Sequence, residues 1–405
     1  MNADGGSAGD VLFVDTEAAL VAASARAERA ERVAVDVESN GLFVYRPALC
    51  VVQIAWPEGG EMVVAIVDTL AVPAAPLAPL LGAAGPVKVL HDLTFDARML
   101  AEAGAPLARV RDTSVAARLL GRQATGLGSL LAAELGVQHD KRLQHHDWGR
   151  RPLRRAEIEY LAGDVRHLLA LDALLERAAA AIDVGPEIEE ETAYKLATAL
   201  APRSAPRPGY VRIKGAGALD AVGRAVVRRL WLAREVAADA EGVPPFKVTS
   251  SEALLEVAQR RPSSRSALGS IRAATAGLAG KHAAAWLAAV AAGVSDGDVP
   301  AEEQALWSPP APKRAEIARR RAREAQVLSW RRAEAARRGI DQQAVLPGHC
   351  AEDLVDALAV HDAQPDALAL GEAIARIPGL GARRIERYGE AFATIAAAFA
   401  RAADT

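Results

Sequence analysis

The hydrophobic positions between residues 11 and 68 fall into short runs that predict β-strands. Four runs rich in Val and Ile lie between polar or Gly/Pro-containing segments: VLFV, VAVDVES, LCVVQIAW and MVVAIVD. KVLHD at 88–92 predicts a fifth strand. Helical patterns lie at 16–30 and at about 94–103, 113–120, 127–135 and 155–180. Strands first, then mostly helices, predict an α/β domain over about residues 11–195.

The rest of the chain is helical in pattern and has two breaks. APRSAPRPGY at 201–210 carries three prolines without hydrophobic periodicity, which is typical of a linker. LWSPPAPK at 306–313 divides the remaining helical sequence into two pieces, each with an Arg-rich helix containing Trp231 or Trp330, then a Gly turn and a polar loop. This shared order predicts two small helical bundles from a weak internal duplication. Chance similarity between Ala-rich helices is the alternative.

Composition limits the class of protein. At 405 residues the chain is too long for a single typical compact core, so two or three domains are expected. A composition of 51% hydrophobic and 24% charged residues suits globular domains. No apolar run approaches the roughly 18 residues of a membrane span. The N-terminal MNADGGSAGD has no basic region followed by an apolar core, so it predicts a disordered lead. Cys50 and Cys350 are the only cysteines, which fits a reducing cytoplasm.

The net charge of −3 conceals an asymmetry between the two halves. Residues 1–200 carry −9 and residues 201–405 carry +6. An acidic front half and a basic back half suit metal chemistry in one part and attraction of a polyanion in the other. Ordinary surface variation explains the charges equally well.

The strand VAVDVES carries two acids that share a face. Asp36 and Glu38 are two residues apart, so their side chains leave the same side of the sheet, whereas Val33, Val35 and Val37 point the other way. Two buried carboxylates on a central strand are unfavourable unless cations or hydrogen bonds compensate their charge. A strand end with its acids in solvent is the simpler explanation for this block alone.

Two further blocks carry acids on predicted helices. Asp96 follows the strand KVLHD, in the first turn of a helix whose N-cap is predicted to be Asp92 or Thr94. Tyr160 and Asp164 are four apart, so they share a helix face. Acids at helix N-termini and a Tyr with a local hydrogen bond are ordinary structural features when taken separately.

The three blocks together indicate metal chemistry. Carboxylates without matching cations are costly to bring together unless metal ions neutralise them. Oxygen ligands favour Mg²⁺ or Mn²⁺ over zinc, and paired ions of this kind serve in-line displacement at phosphorus. The pattern therefore predicts a two-metal phosphodiesterase site.

The blocks resemble the three exonuclease motifs of the DEDD superfamily, most closely those of the ribonuclease D family. Asp36 and Glu38 match the Asp-x-Glu of the first motif, and Asp96, after an aromatic residue, matches the second. Tyr160 and Asp164 match the Tyr-x-x-x-Asp of the tyrosine subclass. The segment DWGRRPLRRAEIEYLAGDVRHLL also resembles that family, in which a Trp and Arg-Pro-Leu precede the third motif. Asp92 stands where many members have Asn.

The resemblance extends into the back half. REVAADAEGVPPFKVTSSEALLEVAQRRPSS resembles an HRDC domain, and IPGLGARRIERYGEAFATI resembles the last helices of a second, divergent one. The resemblance implies an RNase H-like exonuclease domain with a mixed sheet flanked by helices, followed by two small all-α HRDC-like bundles. The expected domains are 11–195 (exonuclease), 196–214 (linker), 215–296 (first HRDC), 297–313 (linker) and 314–402 (second, HRDC-like).

The resemblance also implies a reaction. It is 3′-to-5′ hydrolysis of RNA ends, releasing nucleoside 5′-monophosphates, with tRNA precursors as expected substrates. Two divalent ions, Mg²⁺ or Mn²⁺, would be held by the four acids Asp36, Glu38, Asp96 and Asp164. Tyr160 would orient the attacking water or help to deprotonate it. A 3′–5′ DNA exonuclease and a nucleic-acid-binding scaffold with a decayed site are the alternatives.

Several other residues are candidate substrate contacts. Leu42 or Phe43 is a candidate wedge against the terminal base, although core packing explains both equally well. His91 belongs to the second block. Arg383 and Arg384 follow Gly379-Leu380-Gly381, which is either a phosphate-binding helix start or a tight interhelical turn. The pair His145-His146 is expected on a loop. The sequence predicts no membrane contact and identifies no protein partner.

Overall fold

The computed structural model describes residues 11–202, 208–271, 280–307, 314–363 and 367–403. The lead predicted at 1–10 lies outside the described residues, as do parts of both predicted linkers. The chain divides into two compact units. The first contains the chain up to Ser39, Leu49–Ala201 and the segment from Lys313 onwards; the second contains Asn40–Ala48 and Pro202–Pro312.

A six-stranded mixed sheet organises the described part of the first unit. Its strands are β1 (Val11–Val14), β2 (Arg32–Ser39), β3 (Leu49–Glu58), β4 (Glu61–Asp68), β5 (Val87–Leu90) and β6 (Val110–Asp112), in the order β1-β4-β3-β2-β5-β6. β2–β3 and β3–β4 are antiparallel, whereas β1–β4, β2–β5 and β5–β6 are parallel. This confirms the predicted mixed sheet flanked by helices. The sequence pattern missed β6, because VRD is short and mostly polar.

The alternation in β2 separates core from site. Val33, Val35 and Val37 are 0%, 0% and 5% exposed and belong to the main core of the sheet. Asp36 and Glu38 therefore lie on the opposite face, as predicted. The β2–β3 register shifts between Glu38 and Ser39, an irregularity of the kind that re-aims side chains beside active sites.

Eight α-helices within residues 11–202 surround the sheet. They are α1 (Glu17–Ala27), α2 (Ala78–Leu81), α3 (Thr94–Glu102), α4 (Thr113–Leu119), α5 (Leu127–Leu130, continued by a π turn over Leu131–Leu135), α6 (Arg155–Arg166), α7 (Leu168–Ala181) and α8 (Gly185–Leu200). The single helix predicted at 155–180 is two helices, interrupted at His167. α8 runs past the predicted domain end at 195.

The N-cap predicted for α3 is wrong. Leu93 occupies that position and makes no side-chain cap, while Thr94 is already helical. The carboxylate of Asp112 instead accepts the backbone amides of Asp92 and Leu93 at 3.0 and 3.1 Å. A side chain distant in sequence thus holds the turn, and Asp92 adopts a positive φ of 65°.

The second unit is helical. Its described residues contain α9 (Ala221–Glu241), α10 (Pro245–Val248), α11 (Ser251–Arg260), α12 (Arg265–Gly269), α13 (Ala283–Asp296) and α14 (Ala301–Gln304), around a core that includes Leu230, Val257 and Trp286. The segment Asn40–Ala48 joins it through a hydrogen bond from Tyr45 N–H to the Gly242 carbonyl at 3.0 Å.

Five helices in the described residues beyond 313 complete the first unit as a C-terminal bundle. They are α15 (Arg314–Arg338), α16 (Gln342–Val345), α17 (Gly348–Ala363), α18 (Ala367–Ala375) and α19 (Ala382–Ala403), with Leu354, Leu380 and Phe392 in their core. The bundle packs against α8, where Arg383 N–H donates to Glu190 at 2.8 Å. Both helical pieces are all-α, as predicted; the five domain boundaries stay a prediction. None of the described helices is long and apolar enough to cross a membrane.

Candidate active site

Three of the predicted acids meet at one point. Ligand oxygens of Asp36, Glu38 and Asp164 all lie within 4.8 Å of one another. β2 supplies the first two acids and α6, which packs across β2, β3 and β4, supplies the third. They face a cavity of about 570 Å³. Its other lining residues include His91, Tyr160, Arg118, His139, Lys141 and Lys195.

Burial and mutual repulsion disfavour the ionised forms of these three carboxylates. Burial, followed by the neighbouring Asp164, raises the pKa of Asp36 to about 8. Burial, followed by Asp36, raises the pKa of Glu38 to about 9. The pKa of Asp164 is raised mainly by burial as well. Grouped carboxylates that resist ionisation accept either protons or a cation, and all-oxygen donors suit hard divalent ions. The residues therefore fit a divalent metal centre.

Asp96 lies beside this group but is not one of the three clustered acids. It is 5% exposed in the first turn of α3, and its pKa is raised by burial and then by Asp36. Asp112 fixes the turn that precedes α3 and thereby sets the direction of this helix. A role for Asp96 as a metal ligand stays a prediction.

Tyr160 faces the same cavity as the acids, four residues before Asp164 on α6. Its pKa is raised by burial and by the negative charges of Asp164 and Glu38. The phenol is therefore neutral at ordinary pH, able both to donate and to accept a hydrogen bond. The ring of Trp148 packs 5.7 Å from it, centroid to centroid.

His139 is a site residue that the sequence analysis missed. Its Nε2 lies 3.2 Å from Asp164 Oδ1, and its ring centroid is 6.3 Å from that of Tyr160. It sits in the loop between α5 and α6, and no spacing or periodicity in the sequence points to it. Only the fold brings it to the carboxylates.

The cationic side of the cavity was also missed. Lys195 Nζ lies 2.7 Å from Asp92 and 2.8 Å from Asp112, both of which pair with it. Arg118 contacts Glu191 at 3.5 Å and lines the same cavity. Lys195 and Glu191 are both on α8, a helix that the sequence pattern does not predict, so nothing in the sequence placed them at this cavity.

The remaining candidate contacts are divided between the units. His91 lines the cavity, with its Nδ1 2.9 Å from the Thr113 hydroxyl. Leu42 and Phe43 belong to the second unit, where Leu42 is 47% exposed and the Lys247 ammonium lies 4.6 Å from the Phe43 ring. Their wedge role stays a prediction.

The prediction for Arg384 is corrected. Its side chain is fully buried and donates to the carbonyls of Ala344 and Leu380, so it holds the C-terminal bundle together and is not exposed to a polymer. Arg383 is partly exposed and pairs with Asp183 and Glu386. The Gly379-Leu380-Gly381 turn packs tightly on α8, because a Cβ at either glycine would collide with α8 side chains. His146 contacts Glu157 at 3.1 Å.

Comparison with known proteins now decides the family. A 3′-5′ exonuclease family model matches residues 11–179 and an HRDC domain model matches residues 223–290. Ribonuclease D of Gluconacetobacter diazotrophicus is 33% identical over 315 residues, covering 74% of this chain and 77% of the relative. The chain belongs to the ribonuclease D family. It is a 3′–5′ exoribonuclease, a hydrolase of phosphodiester bonds.

Other ribonuclease D relatives agree. The enzyme of Granulibacter bethesdensis is 32% identical, covering 70% of this chain and 72% of the relative. The crystal structure of Escherichia coli RNase D, an exoribonuclease involved in structured RNA processing, superposes with a TM-score of 0.67 at 21% identity. It covers 95% of this chain and 98% of that chain, and supports the fold. The predicted family, fold class and type of enzyme are confirmed.

Proposed function

We propose that this ribonuclease D relative removes nucleotides from RNA 3′ ends with two divalent ions, Mg²⁺ or Mn²⁺, held by Asp36, Glu38, Asp96 and Asp164. The observation that carries the proposal is the convergence of three carboxylates within 4.8 Å on one cavity. Ions bound there would activate water and stabilise the leaving oxygen. The proposed products are nucleoside 5′-monophosphates.

The chain's own groups position the reactants. Tyr160 lines the cavity, so we infer that its neutral hydroxyl orients the attacking water. Because its pKa is raised, the phenol stays protonated and does not act as a full base towards that water. Lys141 and Arg118 are cations on the cavity wall, so they suit contacts with the phosphates of the substrate strand. His91 lines the same cavity.

The natural substrate is proposed by similarity. The Escherichia coli relative is involved in structured RNA processing, which supports RNA with a free 3′ end as the substrate of this chain. Precursors of tRNA are the expected class. Cys50 and Cys350 are buried and form no disulfide, which is consistent with the proposed cytoplasmic location. The HRDC match at 223–290 supports contact between the chain and nucleic acid.

The experiment is a 3′-end-labelled hydrolysis assay with and without Mg²⁺. Asp36→Asn and Asp96→Asn should each lose metal-dependent release of mononucleotides, because each removes a ligand charge, while folding and RNA binding persist. Asp356→Asn, which changes an exposed carboxylate paired with Arg320, is the matched control and should keep full rate. Wild-type activity in either site variant would refute the assignment.

Two alternatives are tested by the same assay. Matched RNA and DNA strands with free 3′ ends distinguish an exoribonuclease from a DNA exonuclease, and faster DNA turnover would favour the latter. RNA binding without any metal-dependent hydrolysis by the wild-type chain would favour a scaffold with a decayed site.

A further inference from the structure

One face of α8 connects the C-terminal bundle to the catalytic cavity. Glu187, Glu191 and Lys195 are spaced four residues apart on this helix, so their side chains share a face. The Glu187 carboxylate lies 3.1 Å from Arg387 of the bundle. Lys195, two turns further on, lines the cavity. Glu191 stands between these two positions, and the proposed reaction gives it no part.

Glu191 is a fixed carboxylate. It is 7% exposed, and its Oε1 lies 4.0 Å from Nδ1 of His349, in the first turn of α17 of the bundle. The His349 ring in turn stacks on Tyr194 of α8, with 4.2 Å between the ring centroids and 7° between the planes. Because the Glu191 side chain is buried and next to the bundle, it has little freedom to change rotamer.

The same oxygen of Glu191 contacts a residue of the cavity wall. Nη2 of Arg118, in the last turn of α4, lies 3.5 Å from Glu191 Oε1. Among the described residues, Glu191 is the one carboxylate within 4.0 Å of the Arg118 guanidinium. The Arg118 side chain is 46% exposed and lines the cavity. A long, exposed cation is thus paired with a fixed anion.

We propose, building on the proposed contact between Arg118 and the substrate strand, that Glu191 is a positioning residue for RNA binding, which holds the Arg118 guanidinium on the cavity wall where a substrate phosphate binds. The separation of 3.5 Å is longer than a well-formed hydrogen bond. Charge attraction therefore orients the guanidinium, while its N–H donors stay available for phosphate oxygens. Glu191 itself touches neither metal nor RNA.

Glu191 has two effects of opposite sign on RNA affinity. Its negative charge reduces the attraction between Arg118 and a phosphate, but water around the half-exposed guanidinium screens this effect. Its contact with Arg118 removes rotamer freedom that RNA binding would otherwise have to remove, which corresponds to about threefold to tenfold in affinity. The second effect is the larger, so RNA binding should weaken when Glu191 loses its charge.

The first experiment compares four full-length proteins: wild type, Glu191→Gln, Arg118→Gln and the double variant. Hydrolysis of a labelled single-stranded RNA with a free 3′ end at saturating Mg²⁺ gives KM and kcat. Glu191→Gln should raise KM about threefold to tenfold and leave kcat unchanged, since the catalytic acids are intact. Arg118→Gln should raise KM at least as much. The double variant should match Arg118→Gln, because Glu191 acts through Arg118.

Glu187→Gln is the matched control. Glu187 is also a buried carboxylate on this face of α8 and also contacts the bundle, but it is not among the described residues that line the cavity. This variant should change stability and leave KM at the wild-type value. An equal rise in KM for Glu187→Gln and Glu191→Gln would overturn the proposal, because both would then act through docking of the bundle. An unchanged or lower KM in Glu191→Gln would overturn it as well.

The double variant covers the case in which Glu191→Gln does not fold, because it replaces the ion pair by two neutral amides. The proposal then depends on the comparison with Arg118→Gln. Equal KM values for these two proteins support it, and a higher KM for the double variant overturns it.

Fluorescence anisotropy with the same RNA in a chelator repeats the comparison without turnover. The Kd values of the four proteins should follow the order of their KM values. A wild type that binds RNA but shows no metal-dependent hydrolysis would refute the proposed function, while these Kd values still test the role of Glu191. If Arg118→Gln leaves both KM and Kd unchanged, the phosphate contact is refuted and the proposal with it.

Discussion

His139 Nε2 lies 3.2 Å from Asp164 Oδ1, and the side chains are only 10% and 8% exposed. This contact ties the loop before α6 to the third acid of the site. It is also the principal influence that opposes the burial-driven rise in the pKa of Asp164. The loop thus supplies a group that keeps one carboxylate closer to its ionised, metal-binding form.

Replacing this histidine should weaken metal use. His139→Leu removes the hydrogen bond to Asp164, so the pKa of Asp164 rises further and protons compete better with metal. We expect the Mg²⁺ concentration for half-maximal hydrolysis to increase by roughly tenfold. The exposed neighbour His145, changed to Leu, is the control and should behave as wild type. An unchanged metal requirement in His139→Leu would show that the contact has no influence on the site.

Stability without metal should fall as pH rises. The folded-state pKa values of Asp36 and Glu38 are raised to about 8 and about 9, so the folded chain holds more protons than the unfolded chain between about pH 4 and 9. The slope of unfolding free energy with pH is therefore negative in this window. Thermal unfolding with a chelator should give a lower Tm at pH 8.5 than at pH 6.

Two comparisons isolate the carboxylates as the cause. Added Mg²⁺ should recover most of the Tm lost at pH 8.5, because metal binds the ionised cluster of the folded state. The double variant Asp36→Asn/Glu38→Gln should show a flatter Tm profile between these pH values. A wild-type Tm that rises with pH in chelator would contradict the raised pKa values.

The sequence predicted the parts of the site that rest on local periodicity. The two-residue repeat of β2 correctly placed Asp36 and Glu38 on one face, and the four-residue spacing on α6 correctly placed Tyr160 and Asp164 together. These relations follow from the geometry of a single strand or helix, so no knowledge of the rest of the fold is needed.

Long-range contacts account for what the sequence did not reveal. Asp112 ends a three-residue strand, yet it accepts amides from the turn before α3 and pairs with Lys195 on α8. His139 reaches Asp164 from a loop without periodicity. Arg384 follows a Gly-rich turn, which suggests a phosphate contact, but that turn faces α8 and the side chain points into the bundle core. Each outcome depends on pairs of segments distant in sequence.

Replacing Asp112 should lower the rate of hydrolysis as well as the stability of the fold. Burial opposes its ionisation, but Lys195 and hydrogen bonds outweigh this and lower its pKa, so it is a charged acceptor. Asp112→Ala leaves Lys195 without one carboxylate and the turn before α3 without its acceptor, with a cost of about 3–5 kcal/mol. Because α3 carries Asp96, hydrolysis at a temperature where the variant is folded should fall at least tenfold. Urea unfolding and the labelled-RNA assay measure the two effects.

An exposed helix cap in the second unit provides the comparison for that variant. Asp220 caps α9 in the second unit by accepting the Gly223 amide at 2.8 Å, and its side chain is 62% exposed. Asp220→Ala should cost only about 1 kcal/mol and leave hydrolysis unchanged. Equal activity losses in the two variants would mean that Asp112 acts through stability alone.

The docking of the C-terminal bundle on α8 depends on a buried charge. Glu187 is 0% exposed, and its carboxylate lies 3.1 Å from Arg387 and 3.6 Å from Arg338. Arg387→Ala removes the nearer cation and leaves Glu187 poorly compensated, so we expect a loss of about 3 kcal/mol in unfolding free energy. Adding Glu187→Gln should recover part of that loss, because the uncompensated charge is then gone.

Arg376→Ala, at an exposed pair with Glu372, is the control and should change stability by less than about 0.5 kcal/mol. If Arg387→Ala were as mild as Arg376→Ala in urea titrations, the buried pair would not stabilise the bundle on α8.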